Sequence, residues 1–150
     1  MKGCGTLAII YFMVKRNKQQ ATVANIVIPA MHPNPPEQHE INSAYVLAEH
    51  YNCTVKFLLP TDDYRRKTAD IRMLGKDWEL KSPTGKSQST IQNQFRRAKA
   101  QAKNIIIDTR RSKLSYEIIE KRVRFEMTNH PKMKNVILIN KSAKVIEIHK

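Results

Sequence analysis

The first apolar stretches of the chain are short and rich in β-branched and aromatic residues, which favours extended structure. Two strands are predicted on this basis, Leu7–Val14 and Thr22–Ile28, with the polar segment Lys15–Gln20 between them. Basic residues follow the first stretch where a secretion signal has its small-residue cleavage site, so a signal peptide is disfavoured. We interpret residues 1–33, which contain no acidic residue, as a β-prone leader of unknown role.

Apolar positions change to helical spacing after residue 34. Asn34 suits an N-cap, Pro35 suits the first helical position, and Glu37 stands where a capping box has its acid. The predicted helix ends near residues 51–52, and its apolar face consists of Ile41, Ala44, Tyr45 and Ala48. Apolar and mostly polar residues then alternate, which predicts a strand with apolar positions Cys53, Val55, Phe57 and Leu59.

The segment 69–82 alternates in polarity and predicts a β-hairpin with Gly75 and Lys76 at its tip. In this register the cross-strand pairs are Met73 with Trp78, Arg72 with Glu79, Ile71 with Leu80, and Asp70 with Lys81. One face then carries four apolar side chains and the other carries four charged ones. Asp70 and Glu79 are diagonal neighbours on the charged face, with Cα atoms roughly 7–8 Å apart.

The remaining pattern alternates helices with short strands. After a loop at 83–89, helices are predicted over about 90–103 and 116–127, and strands over 105–107, 136–139 and 145–148. From residue 34 the order is helix, three strands, helix, strand, helix, two strands. This order predicts an α/β fold in which helices flank one mixed sheet, with residues 34–150 as the functional domain.

Composition and charge narrow the class of partner. The chain has 150 residues, 41% of them hydrophobic, with 27 Lys and Arg against 13 Asp and Glu. A net charge of +14 favours a polyanionic partner, first of all nucleic acid. No apolar run approaches the ~20 residues of a membrane helix, so no membrane partner is expected. Two cysteines, Cys4 and Cys53, are too few for a disulfide framework or a zinc site.

The charged hairpin face has the residue types that phosphodiester hydrolysis needs. Asp70 and Glu79 can converge on one divalent ion, because Mg²⁺ is commonly held by one or two carboxylates. Lys81 lies two residues after Glu79 and can orient a water and stabilise charge on a phosphate. The competing interpretation is an exposed hairpin face with cross-strand ion pairs, which contribute little. The metal-site interpretation also depends on the register of the hairpin.

These residues resemble a known nuclease signature. Asp70 followed by Glu79-Leu80-Lys81 is similar to the Asp…(Asp/Glu)-x-Lys pattern of the PD-(D/E)xK nuclease superfamily, and the predicted element order resembles its restriction-endonuclease-like core. Ala69 replaces the proline that often precedes the aspartate. From His39 through Trp78–Gly85, Thr90–Gln94 and Asp108–Arg111, the chain also resembles the C-terminal toxin domains of CdiA-type contact-dependent growth inhibition proteins.

The resemblance covers about residues 37–150 and implies a Mg²⁺- or Mn²⁺-dependent endonuclease that cleaves RNA, mostly tRNA. It implies a metal site of Asp70 and Glu79, with Lys81 at the water, and action in the bacterial cytoplasm after delivery within a larger exported protein. It also implies a cognate immunity protein, expected to be acidic. In many members an acid on the first helix joins the metal site, and Glu40 stands there; Glu40 also suits the positive end of that helix.

Nucleic-acid contacts are expected from the second helix and from the end of the 105–107 strand. Opposite the apolar face of that helix lie Gln92, Arg96, Lys99 and Lys103, with Arg97 at the edge of this stripe. Arg110 and Arg111 follow the buried strand, where α/β sheets tend to bind ligands. Tyr64 is the best candidate for stacking a base. A solvated basic face, and pairing of Arg110 or Arg111 with Asp108, are the structural alternatives.

Three other functions remain open from the residues. The same site can act on DNA, because recognition of the 2′-hydroxyl leaves no short motif. A metal-independent ribonuclease would use histidines, but no spacing joins His39, His50 and His130. A non-catalytic nucleic-acid-binding module is the third. ATP binding is disfavoured, because Gly85-Lys86-Ser87 lacks the earlier glycine of a P-loop and has Leu80 there.

Overall fold

Eight strands form one mixed sheet and lie side by side in chain order in a computed structural model. The structure describes residues 8–15, 22–61, 67–98 and 102–149, with side chains from residue 25 onward. The elements are β1 (Ala8–Lys15), β2 (Thr22–Pro29), α1 (Gln38–Tyr51), β3 (Thr54–Phe57), β4 (Ile71–Met73), β5 (Lys76–Lys81), α2 (Gln88–Ala98), β6 (Asn104–Asp108), α3 (Tyr116–Asn129), β7 (Asn135–Ile139) and β8 (Val145–Ile148).

Strand direction defines the edge of the sheet at which a site can form. The pairs β2–β3, β5–β6 and β6–β7 are parallel, and the other neighbouring pairs are antiparallel. The carboxyl ends of β2, β3, β5, β6 and β7 therefore meet at one edge, where β4 begins. Ligands commonly bind at such an edge of an α/β sheet.

Helices cover both faces of the sheet. On one face α1 buries Ala44, Leu47 and Ala48 in a core that includes Trp78 and Ile106. On the other face α2 and α3 contribute Phe95 and Val123 to a second core, which includes Ile105 and Ile107 of β6. Successive residues of β6 thus enter opposite cores, which explains why this strand is apolar at every central position. The mixed α/β fold expected from the sequence is confirmed.

The strand β2 belongs to the same sheet as the rest of the chain. It pairs with β3 in parallel, and Ile26 is fully buried in the core beneath α1. The sheet thus includes a strand on each side of residue 33, and the division expected there stays a prediction. No helix among the described residues is long and apolar enough to cross a membrane.

Two helix boundaries differ from the sequence prediction. The N-cap of α1 is Glu37, not Asn34, and the capping box joins Glu37 to Glu40. A residue before proline is disfavoured in helical conformation, so consecutive Pro35 and Pro36 delay the helix start. The helix α2 extends to Ala98, where the prediction continued to about residue 103; positions 99–101 lie outside the described residues.

Candidate metal and nucleic-acid site

The β4–β5 hairpin has a different register from the one predicted. Leu74 and Gly75 form its two-residue turn, both with positive φ as a type I′ turn requires, so Met73 pairs with Lys76. The predicted tip at Gly75 and Lys76 was wrong because the glycine takes the second turn position. The pairing shifts by an even number of positions, so every side chain keeps its predicted face.

The corrected register still leaves the two candidate metal ligands close together. Ile71 pairs with Trp78 as the last pair of the ladder, and Asp70 precedes that pair. The Asp70 N–H also donates to the Trp78 carbonyl at 3.1 Å, so the ladder is irregular at Asp70 and does not pair it with Glu79. The Leu80 N–H donates to Asp70 Oδ2 at 2.7 Å, which fixes the carboxylate beside β5.

Glu79 is a fully buried carboxylate, which contradicts the interpretation of this hairpin face as exposed. It lies across from Ile105 of β6, on the face that α2 and α3 cover. The Lys81 ammonium donates to Glu79 Oε1, but Glu79 Oε2 has no hydrogen-bond partner. A buried carboxylate oxygen without a partner is costly in the folded protein.

Burial, followed by the charge of Asp70, raises the pKa of Glu79 to about 7, although Lys81 and Lys67 act in the opposite direction. Burial also raises the pKa of Asp70, and the charge of Glu40 adds to this, while the Leu80 N–H and Lys81 oppose it. Two acids that repel each other, one of them fully buried, are stabilised by a cation between them.

The donor set fits a small divalent ion. Asp70 and Glu79 supply hard oxygen ligands, and the orphaned Glu79 Oε2 leaves a coordination position available. Within the described part of the chain, no group of three or more His, Cys, Asp or Glu side chains can hold a metal. Asp70 and Glu79 would supply two carboxylates, a number with which proteins commonly hold Mg²⁺ together with waters and substrate phosphate.

Glu40 has a defined structural role near this pair. Its Oε2 accepts a hydrogen bond from the Glu37 N–H at 2.8 Å, and so closes the capping box of α1. Glu40 lines the same cleft as Asp70, and its charge raises the Asp70 pKa. The carboxylate thus caps the helix and contributes to the negative field of the site. Its membership of a metal shell stays a prediction.

Lys67 is a second cation at the site that the sequence analysis missed. Its charge lowers the pKa of Glu79, and its side chain lines the cleft beside Asp70. The sequence placed Lys67 in a polar loop with nothing to distinguish it from other lysines. Only the proximity of the β3–β4 loop to β5 reveals it.

A buried polar network ties α1 to the end of β6. Asp108 is buried and accepts a hydrogen bond from the Ser43 hydroxyl at 2.5 Å. The Arg110 guanidinium donates to both Asp108 oxygens, with Nη2 to Oδ2 at 2.6 Å, and the Arg110 N–H donates to Oδ1 at 3.0 Å. Arg110 thus pairs with Asp108, and its guanidinium, held in place, remains partly exposed. Arg111 is exposed next to it.

The other predicted nucleic-acid contacts lie on the surface. Gln92, Arg96 and Arg97 on α2, and Lys103 just before β6, are exposed. No acidic residue occurs in the sequence between Glu79 and Asp108, so this surface is cationic. Lys99 and Tyr64, the predicted stacking residue, lie outside the described residues.

The histidines do not form a joint site. His39 contacts the Glu37 carboxylate at 3.1 Å, whereas His130 contacts buried Glu126 at 3.2 Å on α3. His50 packs edge-on against Tyr51 at the end of α1. Three separate local partners give no support to a histidine-based ribonuclease.

Comparisons with known proteins give one family match and one similar solved structure. Residues 67–145, more than half of the chain, match the family described as "Contact-dependent growth inhibition CdiA C-terminal domain". The chain is also similar to a solved chain of the "CdiA-CT/CdiI toxin and immunity complex from Burkholderia pseudomallei", with 19% identity and a TM-score of 0.61. That likeness covers 82% of this chain and 98% of the other, and it concerns the fold. No curated protein gives a significant match.

Proposed function

Because this chain belongs to the family of contact-dependent growth inhibition CdiA C-terminal domains, we propose that it is a toxin domain that cleaves RNA. We propose further that it is a metal-dependent endonuclease and that tRNA is its substrate. The observation that carries the proposal is the close approach of Asp70 to the fully buried Glu79, with one Glu79 carboxylate oxygen unpartnered. Acids at the edge of a strongly cationic domain would repel phosphate unless a cation lay between them.

Each side chain has a role that follows from its contacts. Asp70, fixed by the Leu80 N–H, and Glu79, buried in the sheet, would hold Mg²⁺ or Mn²⁺, with Glu40 as a third acid beside them. When bound, the metal supplies Lewis-acid stabilisation of the charge that develops on the phosphate. Lys81 is held by Glu79 with its ammonium still partly exposed, and so can position the attacking water and stabilise the same charge.

The cationic surface would bind the phosphate backbone of the RNA. The exposed arginines of α2, Lys103 and Arg111 carry no ion pair with another described residue, so they are available to phosphates. Arg110 is fixed by Asp108, which lowers the entropy cost of a phosphate contact. The choice of RNA over DNA rests on the resemblance of the sequence to tRNA-cleaving toxin domains, because the residues themselves do not distinguish these substrates.

The proposed partner and route of delivery are inferred from similar proteins. The similar Burkholderia pseudomallei structure is a complex of toxin and immunity protein. We propose an immunity protein for this chain as well, with an acidic surface that complements the net charge of +14. The domain would reach the cytoplasm of a target bacterium as part of a larger exported protein.

The decisive experiment incubates the purified protein with total tRNA and with plasmid DNA, in Mg²⁺ or in EDTA. We expect cleavage of tRNA only with Mg²⁺, and loss of cleavage in Glu79→Gln and Lys81→Ala. Asp77→Asn is the matched control, because Asp77 is an acid on the same strand that pairs with Arg72 on the surface. Cleavage that persists in EDTA contradicts the metal site, and cleavage of plasmid alone contradicts the RNA assignment.

A further inference from the structure

A cleft of about 500 Å³ lies directly beside the proposed catalytic carboxylates. It is formed by the β2–α1 loop on one side and the β3–β4 loop on the other, and both Asp70 and Glu40 line it. Its volume is within the range of pockets that bind small molecules or parts of larger ligands. A phosphate held at the site would carry its attached nucleoside into or along this cleft.

The cleft lining combines rings and apolar side chains with polar groups. His32, Pro36, Phe57 and Leu58 contribute the former, and the polar groups include Thr68, Lys67 and the acids Glu37, Glu40 and Asp70. Flat rings next to a few hydrogen-bonding groups are the usual surroundings of an unstacked nucleobase. Lys67 adds a positive charge to the lining of the cleft, and that charge lowers the pKa of Glu79.

His32 is held in one orientation at the junction of the two loops. Its Nδ1 accepts a hydrogen bond from the Asn34 N–H at 3.2 Å, which requires the ring proton to be on Nε2. Nε2 then donates to the Leu58 carbonyl at 2.9 Å. The ring bridges both walls and lines the cleft, and the residue is only partly buried.

We propose that this cleft binds one unpaired nucleoside next to the phosphate that is cleaved, with its base stacked on His32. The inference rests on the proposed nuclease function and defines its substrate as a single-stranded or looped region. A base inside a duplex is stacked on both faces and cannot enter such a cleft without being unpaired first.

Binding of short RNAs in EDTA tests the cleft without cleavage. The probes are one single-stranded RNA, the same strand annealed to its complement, and the same strand with one base replaced by an abasic ribose at the position flanking the cut. Duplex has the higher charge density, so purely electrostatic binding favours the duplex. We expect instead that the single strand binds about ten-fold more tightly than the duplex, and that the abasic strand loses most of this advantage.

Two substitutions of His32 separate stacking from bridging. His32→Phe keeps a ring and loses both hydrogen bonds, whereas His32→Gln keeps a donor for the Leu58 carbonyl and loses the ring. We expect His32→Phe to retain the preference for the single strand and His32→Gln to lose it. The reverse pattern shows that His32 only bridges the loops, and overturns the stacking role.

The outcomes for the cleft and for the nuclease are distinguishable. Equal binding of single strand, abasic strand and duplex overturns the nucleoside cleft, whatever the cleavage assay shows. A preserved preference for the intact single strand, in a protein that cleaves neither tRNA nor plasmid, supports the cleft and contradicts the nuclease. The abasic probe leaves the protein unaltered, so the test does not depend on the folding of a variant.

Discussion

Asp70, just before β4, lies close to Glu79 on the adjoining β5, and Glu79 Oε2 has no hydrogen-bond partner. The fold therefore keeps two acids close together where burial and mutual repulsion make both unfavourable. Lys81 donates a hydrogen bond to only one oxygen of Glu79, Oε1. Such an arrangement is more costly than a surface ion pair, and it is consistent with a site retained for chemistry instead of stability.

Glu79→Gln is expected to stabilise the metal-free protein while it abolishes cleavage. The amide replaces a buried carboxyl group whose pKa is raised from 4.5 to about 7 and which is therefore charged at pH 8. At that pH in EDTA, loss of the buried charge should raise the unfolding free energy by ~1–3 kcal/mol. Thermal unfolding in EDTA measures the gain in stability, and a tRNA cleavage assay in Mg²⁺ measures the loss of activity. Asp77→Asn should change neither the stability nor the cleavage activity by much, because Asp77 is a surface acid. A Glu79→Gln protein that melts below the wild type contradicts the prediction.

Glu40→Gln tests whether Glu40 does more than cap α1. Glutamine also accepts the hydrogen bond of a capping box, so the melting temperature should stay close to that of the wild type. We expect a higher Mg²⁺ concentration for half-maximal cleavage, because one negative charge beside Asp70 is lost. Glu40→Ala should in addition lower stability by ~0.5–2 kcal/mol through loss of the cap. An unchanged Mg²⁺ dependence in Glu40→Gln identifies the residue as a cap alone.

Asp108 should make stability depend on pH in the acidic range. Although burial raises the pKa of Asp108, the hydrogen bonds from Arg110 and Ser43 outweigh it and hold this pKa below the usual 3.8. A depressed folded pKa contributes stability that is complete above the unfolded value and is lost as pH falls through the folded value. Asp108→Asn should therefore lower the free energy of unfolding by ~1–3 kcal/mol at pH 7, and by progressively less below about pH 4. Denaturant unfolding at several pH values measures the difference, and a cost that stays constant down to pH 2 refutes this role.

Arg96→Gln and Arg97→Gln are expected to weaken RNA binding in a salt-dependent way. If each arginine contacts one phosphate, each substitution should lower the slope of log affinity against log salt by about 1. Lys76→Gln removes the same charge at the start of β5, at the opposite edge of the sheet from the site, and should leave the slope unchanged. Binding titrations at four salt concentrations measure the slopes. Equal slopes for all variants would place the RNA on another surface.

Local patterns predicted the faces of the hairpin but not its register. Alternation with period two assigned Asp70, Glu79 and Lys81 to one face, and this assignment is independent of any even shift in pairing. The register itself depended on which residues of the turn take positive φ, and Leu74 is not a residue for which sequence favours that conformation. The start of α1 was misplaced for a similar reason, because the effect of two adjacent prolines outweighed a good N-cap residue.

The α/β class, the helical and extended segments, the cationic surface and the acid–lysine pattern on one strand could be predicted from the amino-acid sequence. These features depend on periodicity, charge and residue type, which are properties of neighbouring positions. The burial of Glu79, the action of Lys67 and Glu40 on the same site, and the position of His32 between two loops beside a cleft became evident only in the folded protein. Those relationships arise where β5 is covered by α2 and α3 and where the β2–α1 and β3–β4 loops meet. Contacts between residues far apart in the chain depend on how the layers pack, and no local pattern encodes that packing.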